Sequence, residues 1–274
     1  MTHLDALILG IVQGLTEFLP VSSSGHLVLG QALLGLKQHS IEFDVVVHVA
    51  TLLAVVVYFR SEVRMLIADS LSALKERPAD VMDANQRLVG ARLTLLVIAA
   101  SIPTAIIGLG FEDLFEQLFS SVRAVGGFLL VTSALLWLTW KRGGEESSAP
   151  RYETLNVRRA LVIGLAQGAA IAPGVSRSGS TIASALLCGV ERRSAASFSF
   201  LISIPAILGA VVVRADELGA IPADQYGVLA LGFASALISG LCGLWFLMRI
   251  VNRGGLYLFG FYTAAVGIAA LILG

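Results

Sequence analysis

Residues 10–26 read GIVQGLTEFLPVSSSGH, and residues 164–180 read GLAQGAAIAPGVSRSGS, at a constant shift of 154 positions (164 − 10). Most of the identical positions are Gly, Gln or Ser, whereas chance identities in an apolar chain fall mainly on Leu, Ala and Val. The identical pairs are Gly10 and Gly164, Gln13 and Gln167, Gly14 and Gly168, Val21 and Val175, Ser22 and Ser176, Ser24 and Ser178, and Gly25 and Gly179. The sequence therefore predicts an internal duplication.

Composition places the duplication in a membrane. The chain is 56% hydrophobic and 14% charged, with a mean hydropathy of +0.83, whereas soluble domains carry roughly 25% charged residues. A formal net charge of +0 gives no sign of nucleic-acid binding. Several apolar segments approach the ~20 residues of a spanning helix, the first with help from snorkelling flanks. They are Val45 to Phe59, Leu93 to Phe111, Ala124 to Trp140, Ser194 to Val213, Gln225 to Met248 and Gly254 to Gly274.

The duplicated stretches lie in two broken helices. Residues 6–19 and 160–172 are apolar, and Pro and Gly interrupt each of them before a short apolar piece, 27–36 or 182–190, that cannot cross a bilayer. A helix, a polar break and a short helix predict a re-entrant hairpin. Irregular backbone at membrane depth is stable only inside protein or beside water.

The predicted fold is an all-α integral membrane protein with one membrane domain, residues 1–274. Repeat one covers about 1–141 and repeat two about 157–274, each a re-entrant helical hairpin plus three transmembrane helices. Because three is odd, the second half enters from the opposite side, which predicts an inverted repeat. The connections at 60–92, 141–159, 192–193 and 249–253 are basic, so the positive-inside rule places them in the cytoplasm and both termini outside it. The hairpin tips then meet near the midplane.

Polar residues converge at that meeting point, and Arg177 is the one basic residue in its hairpin tip. A guanidinium matches phosphate oxygens in a bidentate manner, and the helix N-termini after Gly25 and Gly179 favour an anion. A phosphate ligand accounts for the hydroxyls around Arg177, whereas a purely structural Glu17–Arg177 pair does not. The convergent residues are Gln13, Glu17, Ser22, Ser23, Ser24, His26, Gln167, Ser176, Ser178, Ser180 and Thr181.

The cluster also allows chemistry. Glu17 or His26 could activate Ser23 as a nucleophile. In a second interpretation His26 attacks and Ser23 binds the phosphate, and in a third the residues only position charge. His48 either lines the same cavity or bonds a backbone carbonyl.

These motifs resemble the undecaprenyl-diphosphate phosphatase family of the bacitracin-resistance type. QGLTEFLPVSSSGH resembles the family's (E/Q)xxxE motif, PGVSRSGST matches PGxSRSxxT at every fixed place, and residues 43–59 are similar as well. The resemblance implies removal of the terminal phosphate from undecaprenyl diphosphate, which recycles the carrier for cell-wall synthesis and gives bacitracin resistance. It implies a divalent metal, Mg²⁺ or Ca²⁺, with Glu17 as its ligand.

By position in those motifs, the resemblance implies catalytic roles for Glu17, Ser23, His26 and Arg177, with Arg177 as the diphosphate clamp. Many members have glutamate where this chain has Gln13, so the acidic role falls on Glu17. The expected location is the bacterial plasma (inner) membrane, with the site open to the extracytoplasmic side. The expected partners are the lipid substrate and the membrane, and a homodimer is one oligomeric state open to the chain.

The alternative function is a transporter or flippase of a phosphorylated lipid or another anion. Inverted repeats with broken helices at the midplane are a transporter architecture. A nucleophile and a base favour the enzyme, because anion transport needs neither.

The predicted topology is testable by cysteine-accessibility labelling. Single cysteines placed within 145–155 should react only with reagent on the cytoplasmic side, and those within 112–118 only from outside, because basic loops stay in the cytoplasm. Labelling in the reverse sense would contradict the inverted arrangement.

Overall fold

The computed structural model describes residues 1–33, 41–74, 89–119, 121–140, 152, 155–213 and 225–274. Within these ranges the chain is helical and contains no strand, which confirms the predicted all-α class. The helices are α1 (His3–Phe18), α2 (Ser23–Leu33), α3 (Ile41–Tyr58), α4 (Arg60–Ala73), α5 (Val89–Gly110), α6 (Glu112–Phe119), α7 (Val122–Trp137), α8 (Val157–Ala169), α9 (Arg177–Leu187), α10 (Arg192–Val213), α11 (Tyr226–Asn252) and α12 (Leu258–Leu273).

Each predicted span coincides with a helix. By length and composition, α5, α10 and α11 can each cross a membrane alone, and α3 and α7 qualify when each is joined to its bent neighbour, α4 or α6. The bend between α3 and α4 is 78°. Helix α12 is apolar but shorter. The protein is therefore a multi-pass membrane protein, and α4 and α6 are additions that the sequence did not predict.

Both hairpins break where the sequence predicts. Helix α1 ends at Phe18, Leu19 is extended with ψ 141° before Pro20, and Ser22 adopts a left-handed φ of 70°. In the second hairpin Gly174 has φ 96°, and a Cβ there would lie 2.4 Å from Val125 O. Only glycine fits that position. Re-entry itself stays a prediction, although α1, with 16 residues, is about 24 Å long and shorter than a bilayer core.

Helices of one predicted repeat pack on helices of the other. Helix α1 packs on α11, α8 packs on α5, and the third spans α7 and α12 pack on each other. Small residues allow the close approach: a Cβ on Gly14 would lie 2.4 Å from Ala236 O, and one on Gly164 would lie 2.0 Å from Ala100 O. This packing agrees with a duplication, while the inversion and the repeat boundaries stay predictions.

Parts of the charged connections lie outside the described residues, within 75–88, 141–151 and 214–224, as does 34–36 at the end of the first short apolar piece.

Candidate functional site

The tips of the two hairpins are in contact. Ser178 Oγ donates to Leu19 O at 3.3 Å, and a Cβ on Gly25 would lie 3.3 Å from Gly174 Cα. Gly179 is equally close to Pro20, whose Cβ lies 3.2 Å from the ideal Cβ position. The two hairpin tips therefore meet, as the sequence predicts, while their depth at the membrane midplane stays a prediction.

Helix α7 fixes the second tip. Thr132 Oγ1 donates to Gly174 O and accepts from Ser176 N, both at 2.9 Å. Ser176 in turn caps α9, because its Oγ accepts from Gly179 N at 3.1 Å. These bonds hold Arg177 as the first residue of α9, with its side chain directed at the first hairpin.

Glu17 is the centre of the cluster. Its buried carboxylate accepts from Gln13 Nε2 at 2.9 Å and from Ser23 Oγ at 2.6 Å, and it forms an ion pair with Arg177. His48 Nε2 lies 3.9 Å from the same carboxylate. His48 also bonds Asp44 O through Nδ1 at 2.7 Å, which confirms the interpretation that it bonds a backbone carbonyl, while its place in a cavity stays a prediction.

Buried polar atoms without partners surround this centre. Within the described residues, Arg177 Nη1, Gln13 Oε1 and Ser180 Oγ have no hydrogen-bond partner. A buried unpaired donor or acceptor costs about 1–3 kcal/mol, and more when it is charged. An ion pair that served only to join the hairpins would leave this cost uncompensated. An oxyanion ligand would satisfy the free face of the guanidinium.

His26 faces a residue that sequence reasoning missed. Its Nδ1 lies 2.8 Å from Ser22 O, and its Nε2 lies 2.8 Å from the Tyr262 hydroxyl. A carbonyl can only accept, so the neutral ring carries its hydrogen on Nδ1 and accepts from Tyr262 on Nε2. The two rings also stack, with centroids 5.6 Å apart. Tyr262 lies 236 positions from His26, and no local signal marks it.

Other predicted binding residues bond mainly within the scaffold. Gln167 Nε2 donates to Thr104 Oγ1 at 3.2 Å and to Ile202 O at 3.3 Å, which ties α8 to α5 and α10. Thr181 bonds Ser199, which ties α9 to α10. The hydroxyls of Ser22 and Ser24, 3.3 Å apart, and of Ser176 and Ser178, 3.2 Å apart, pair with each other. Their roles in substrate binding stay predictions.

Comparison with known proteins gives the family. Residues 6–269 match the family described as bacitracin resistance protein BacA. The chain belongs to the BacA family. It is 41% identical to the undecaprenyl-diphosphatase of Carboxydothermus hydrogenoformans, over 100% of this chain and 98% of that protein. The undecaprenyl-diphosphatases of Desulforapulum autotrophicum and Korarchaeum cryptofilum are 43% and 44% identical, each over 98% of both chains. The family resemblance carried by the two motifs is confirmed.

Proposed function

We propose that this BacA-family protein hydrolyses undecaprenyl diphosphate to undecaprenyl phosphate and inorganic phosphate. This reaction recycles the lipid carrier for cell-wall synthesis and gives bacitracin resistance. Full-length relatives named undecaprenyl-diphosphatase support the proposal, and the family description supports the resistance role.

We further propose the bacterial plasma (inner) membrane as its location, with the site open to the extracytoplasmic side. A homodimer stays a prediction.

The observation that carries the proposal is that the Arg177 guanidinium and the Ser23 hydroxyl both bond the Glu17 carboxylate. Arg177 binds Glu17 through one guanidinium nitrogen and leaves the other, Nη1, buried and unpaired among the described residues. That nitrogen and the positive end of α9 suit the terminal phosphate of the substrate. Ser23 bonds the same Glu17 at 2.6 Å, so the proposed nucleophile lies next to the arginine that would bind the phosphate.

In the proposed reaction Glu17 takes the Ser23 proton while Oγ attacks the terminal phosphorus. The new Oγ–P bond forms as the bond from phosphorus to the bridging oxygen breaks, and undecaprenyl phosphate leaves. Arg177 and α9 hold the charge on the transferred phosphoryl group. Water then attacks the phosphorus of the phosphoserine and the Oγ–P bond breaks. Ser23 Oγ takes back the proton from Glu17, and inorganic phosphate leaves with the oxygen and protons of the water.

His26 is the competing nucleophile, and its contacts favour a supporting role. Its Nε2 is engaged by Tyr262 at 2.8 Å, so an attack through Nε2 requires that bond to break first. Ser23 is already bonded to its base. In this proposal His26 protonates the leaving lipid phosphate or activates the water, and either role also requires Nε2 to exchange the Tyr262 hydroxyl for the reacting group. Electrostatic positioning without a covalent intermediate remains the third interpretation.

A divalent cation would find oxygen donors at this site, although the described residues contain no group of three or more His, Cys, Asp or Glu side chains that could hold it without the substrate's phosphates. Gln13 Nε2 donates to Glu17, which leaves Gln13 Oε1 buried and without a partner among the described residues. Mg²⁺ and Ca²⁺ prefer such oxygen ligands, and Mg²⁺ is often held by one or two carboxylates together with substrate phosphates. Glu17 and Gln13 would hold the ion, which would neutralise phosphate charge when bound.

An enzyme is favoured over a transporter by the Ser23–Glu17 bond. Binding and releasing an anion needs charge complementarity, which Arg177 alone supplies, whereas a hydroxyl bonded to a buried carboxylate is the arrangement of an activated nucleophile.

Arg177→Lys should lower turnover at least about 100-fold, because lysine keeps the charge but loses the bidentate fork. The measurement is inorganic phosphate released from undecaprenyl diphosphate by purified protein. Arg253→Lys makes the same exchange at an exposed position and is the matched control. No phosphate release by the unmodified protein would exclude the hydrolase, and normal release by Arg177→Lys would make the arginine structural.

Gln13→Glu should lower the Mg²⁺ or Ca²⁺ concentration required for half-maximal turnover, because a carboxylate replaces a neutral amide oxygen beside Glu17. Chelator should abolish phosphate release by the unmodified protein, and added cation should restore it. An identical cation requirement in Gln13→Glu and the unmodified protein would remove Gln13 from the ion's ligands.

Ser23→Ala and His26→Ala separate the two nucleophiles. We expect Ser23→Ala to lose more than about 100-fold in turnover, a loss within the range of even a general acid or base. The control is Ser101→Ala. The Ser101 hydroxyl donates to Val97 O within its own helix at 2.8 Å. Retention of more than roughly a tenth of turnover by Ser23→Ala would show that this serine is not the nucleophile.

A further inference from the structure

A second polar site lies at the end of the bundle where α3 ends, α4 and α10 begin and α11 ends. It is a pocket of about 400 Å³, and residues of these four helices line it. None of the residues that line it belongs to the two hairpins. The lining residues that matter here are Glu62, Arg193, Ser197, Trp245, Arg249 and Asn252.

The charges in this pocket favour an anion. Among the described lining residues, the guanidinium groups of Arg193 and Arg249 oppose a single carboxylate, Glu62. That carboxylate already accepts from Ser61 Oγ at 2.8 Å. The first turn of α4, which contributes Ser61 and Glu62 to the wall, has no side-chain cap. Its backbone N–H groups and the positive helix end therefore add to the attraction for an anion.

Several buried polar atoms in and behind the wall have no hydrogen-bond partner among the described residues. Ser197 is 1% exposed, and its Oγ has no hydrogen-bond partner among the described residues. The neighbouring Tyr152 hydroxyl is buried and unpaired as well, so the two hydroxyls lie close without a well-aligned bond between them. Asn252 Oδ1 is also without a partner. Since buried polar groups in proteins are almost always satisfied, this wall has spare hydrogen-bonding capacity.

An apolar groove of about 570 Å³ adjoins the polar pocket. It runs between α1 and α11, and its walls include Leu15, Leu19, Leu241, Cys242 and Phe246. Trp245 lines both cavities, and Arg249 lies over its ring at 3.8 Å from the centroid. A tryptophan one turn below an arginine marks the level of the lipid headgroups.

We propose that this pocket and groove bind one anionic membrane phospholipid. Arg249, Arg193 and Ser197 hold its phosphate, and an acyl chain lies along the groove beside Trp245. The continuous change from a basic pocket to an apolar groove selects a lipid over a free anion. The positive-inside prediction places this end in the cytoplasmic leaflet, whose anionic lipids attract basic residues.

The lipid groove and the catalytic residues lie on different faces of the first hairpin. Leu15 lies two residues from both Gln13 and Glu17 on α1, so the wall of the groove and the catalytic residues occupy opposite faces of one helix. The lipid assignment therefore does not depend on the proposed hydrolysis, although the two sites share α1.

Tryptophan fluorescence can test the site directly. The chain has 3 tryptophans, so the double substitution Trp137→Phe/Trp140→Phe leaves Trp245 as the sole emitter. The protein is reconstituted in phosphatidylcholine vesicles that contain a minor fraction of brominated phosphatidylglycerol or brominated phosphatidylcholine. We expect brominated phosphatidylglycerol to quench Trp245 at a several-fold lower mole fraction. Equal quenching by the two brominated lipids would overturn the proposal.

Arginine substitutions separate a bound lipid from a general surface potential. In the same background, Arg249→Gln should reduce the preference for phosphatidylglycerol at least about tenfold, because it removes a charge-assisted hydrogen bond to the lipid phosphate. Arg253→Gln removes the same charge from the exposed end of α11 and should leave the preference unchanged. Equal effects of the two substitutions would contradict a specific site. Should Arg249→Gln fail to fold, Ser197→Ala serves instead, with an expected loss of about two- to tenfold.

Two further arms identify the ligand and keep the proposals apart. Inorganic phosphate added to both sides of the membrane should not relieve the quenching, and relief would indicate a free-anion site. Displacement by polyprenyl phosphate but not by unlabelled phosphatidylglycerol would assign the site to the reaction product and overturn the phospholipid.

Phosphate release is measured in the same vesicles. Loss of release with the lipid preference intact would contradict only the proposed function, and the converse would contradict only the lipid site.

Discussion

The buried ion pair between Glu17 and Arg177 is the interaction on which the hairpin site depends. Removing two charges from water costs several kcal/mol each, and their attraction offsets this only when good geometry and further hydrogen bonds support the pair. The first hairpin supplies those bonds from Gln13 and Ser23. Loss of either charged partner would leave the other buried and unpaired, a change that costs about 3–5 kcal/mol in comparable cases.

The scaffold holds that pair through two kinds of contact. Glycines let the helices of one half approach those of the other, as at Gly14 and Gly164, where a Cβ would collide with the partner backbone. Thr132 on α7 then fixes the broken backbone of the second hairpin through both its donor and its acceptor. Close packing and a few backbone bonds therefore set where Arg177 lies relative to Glu17.

The two proposed anion sites lie in different environments. At the hairpin site, Arg177 Nη1 is buried and has no partner among the described residues, and Ser23 and Glu17 are the proposed nucleophile and base. The second site lies at a basic end of the bundle, where Arg249 stacks on Trp245 beside an apolar groove. The first site has a hydroxyl bonded to a buried carboxylate, whereas the second has basic groups beside an apolar groove, and this difference in side chains is why we propose catalysis for one and lipid binding for the other.

The sequence by itself determined the helical class, the broken hairpins and most members of the cluster. Apolar length, Pro and Gly breaks and the repeated polar residues are local properties, so the sequence pattern alone groups Gln13, Glu17, Ser23 and Arg177. Only the tertiary structure decided their partners. Tyr262 comes to His26 from 236 positions away, and Gln167 turns from the cluster to Thr104. Helix packing sets such contacts, and no spacing along one segment encodes which side chains of distant helices will meet.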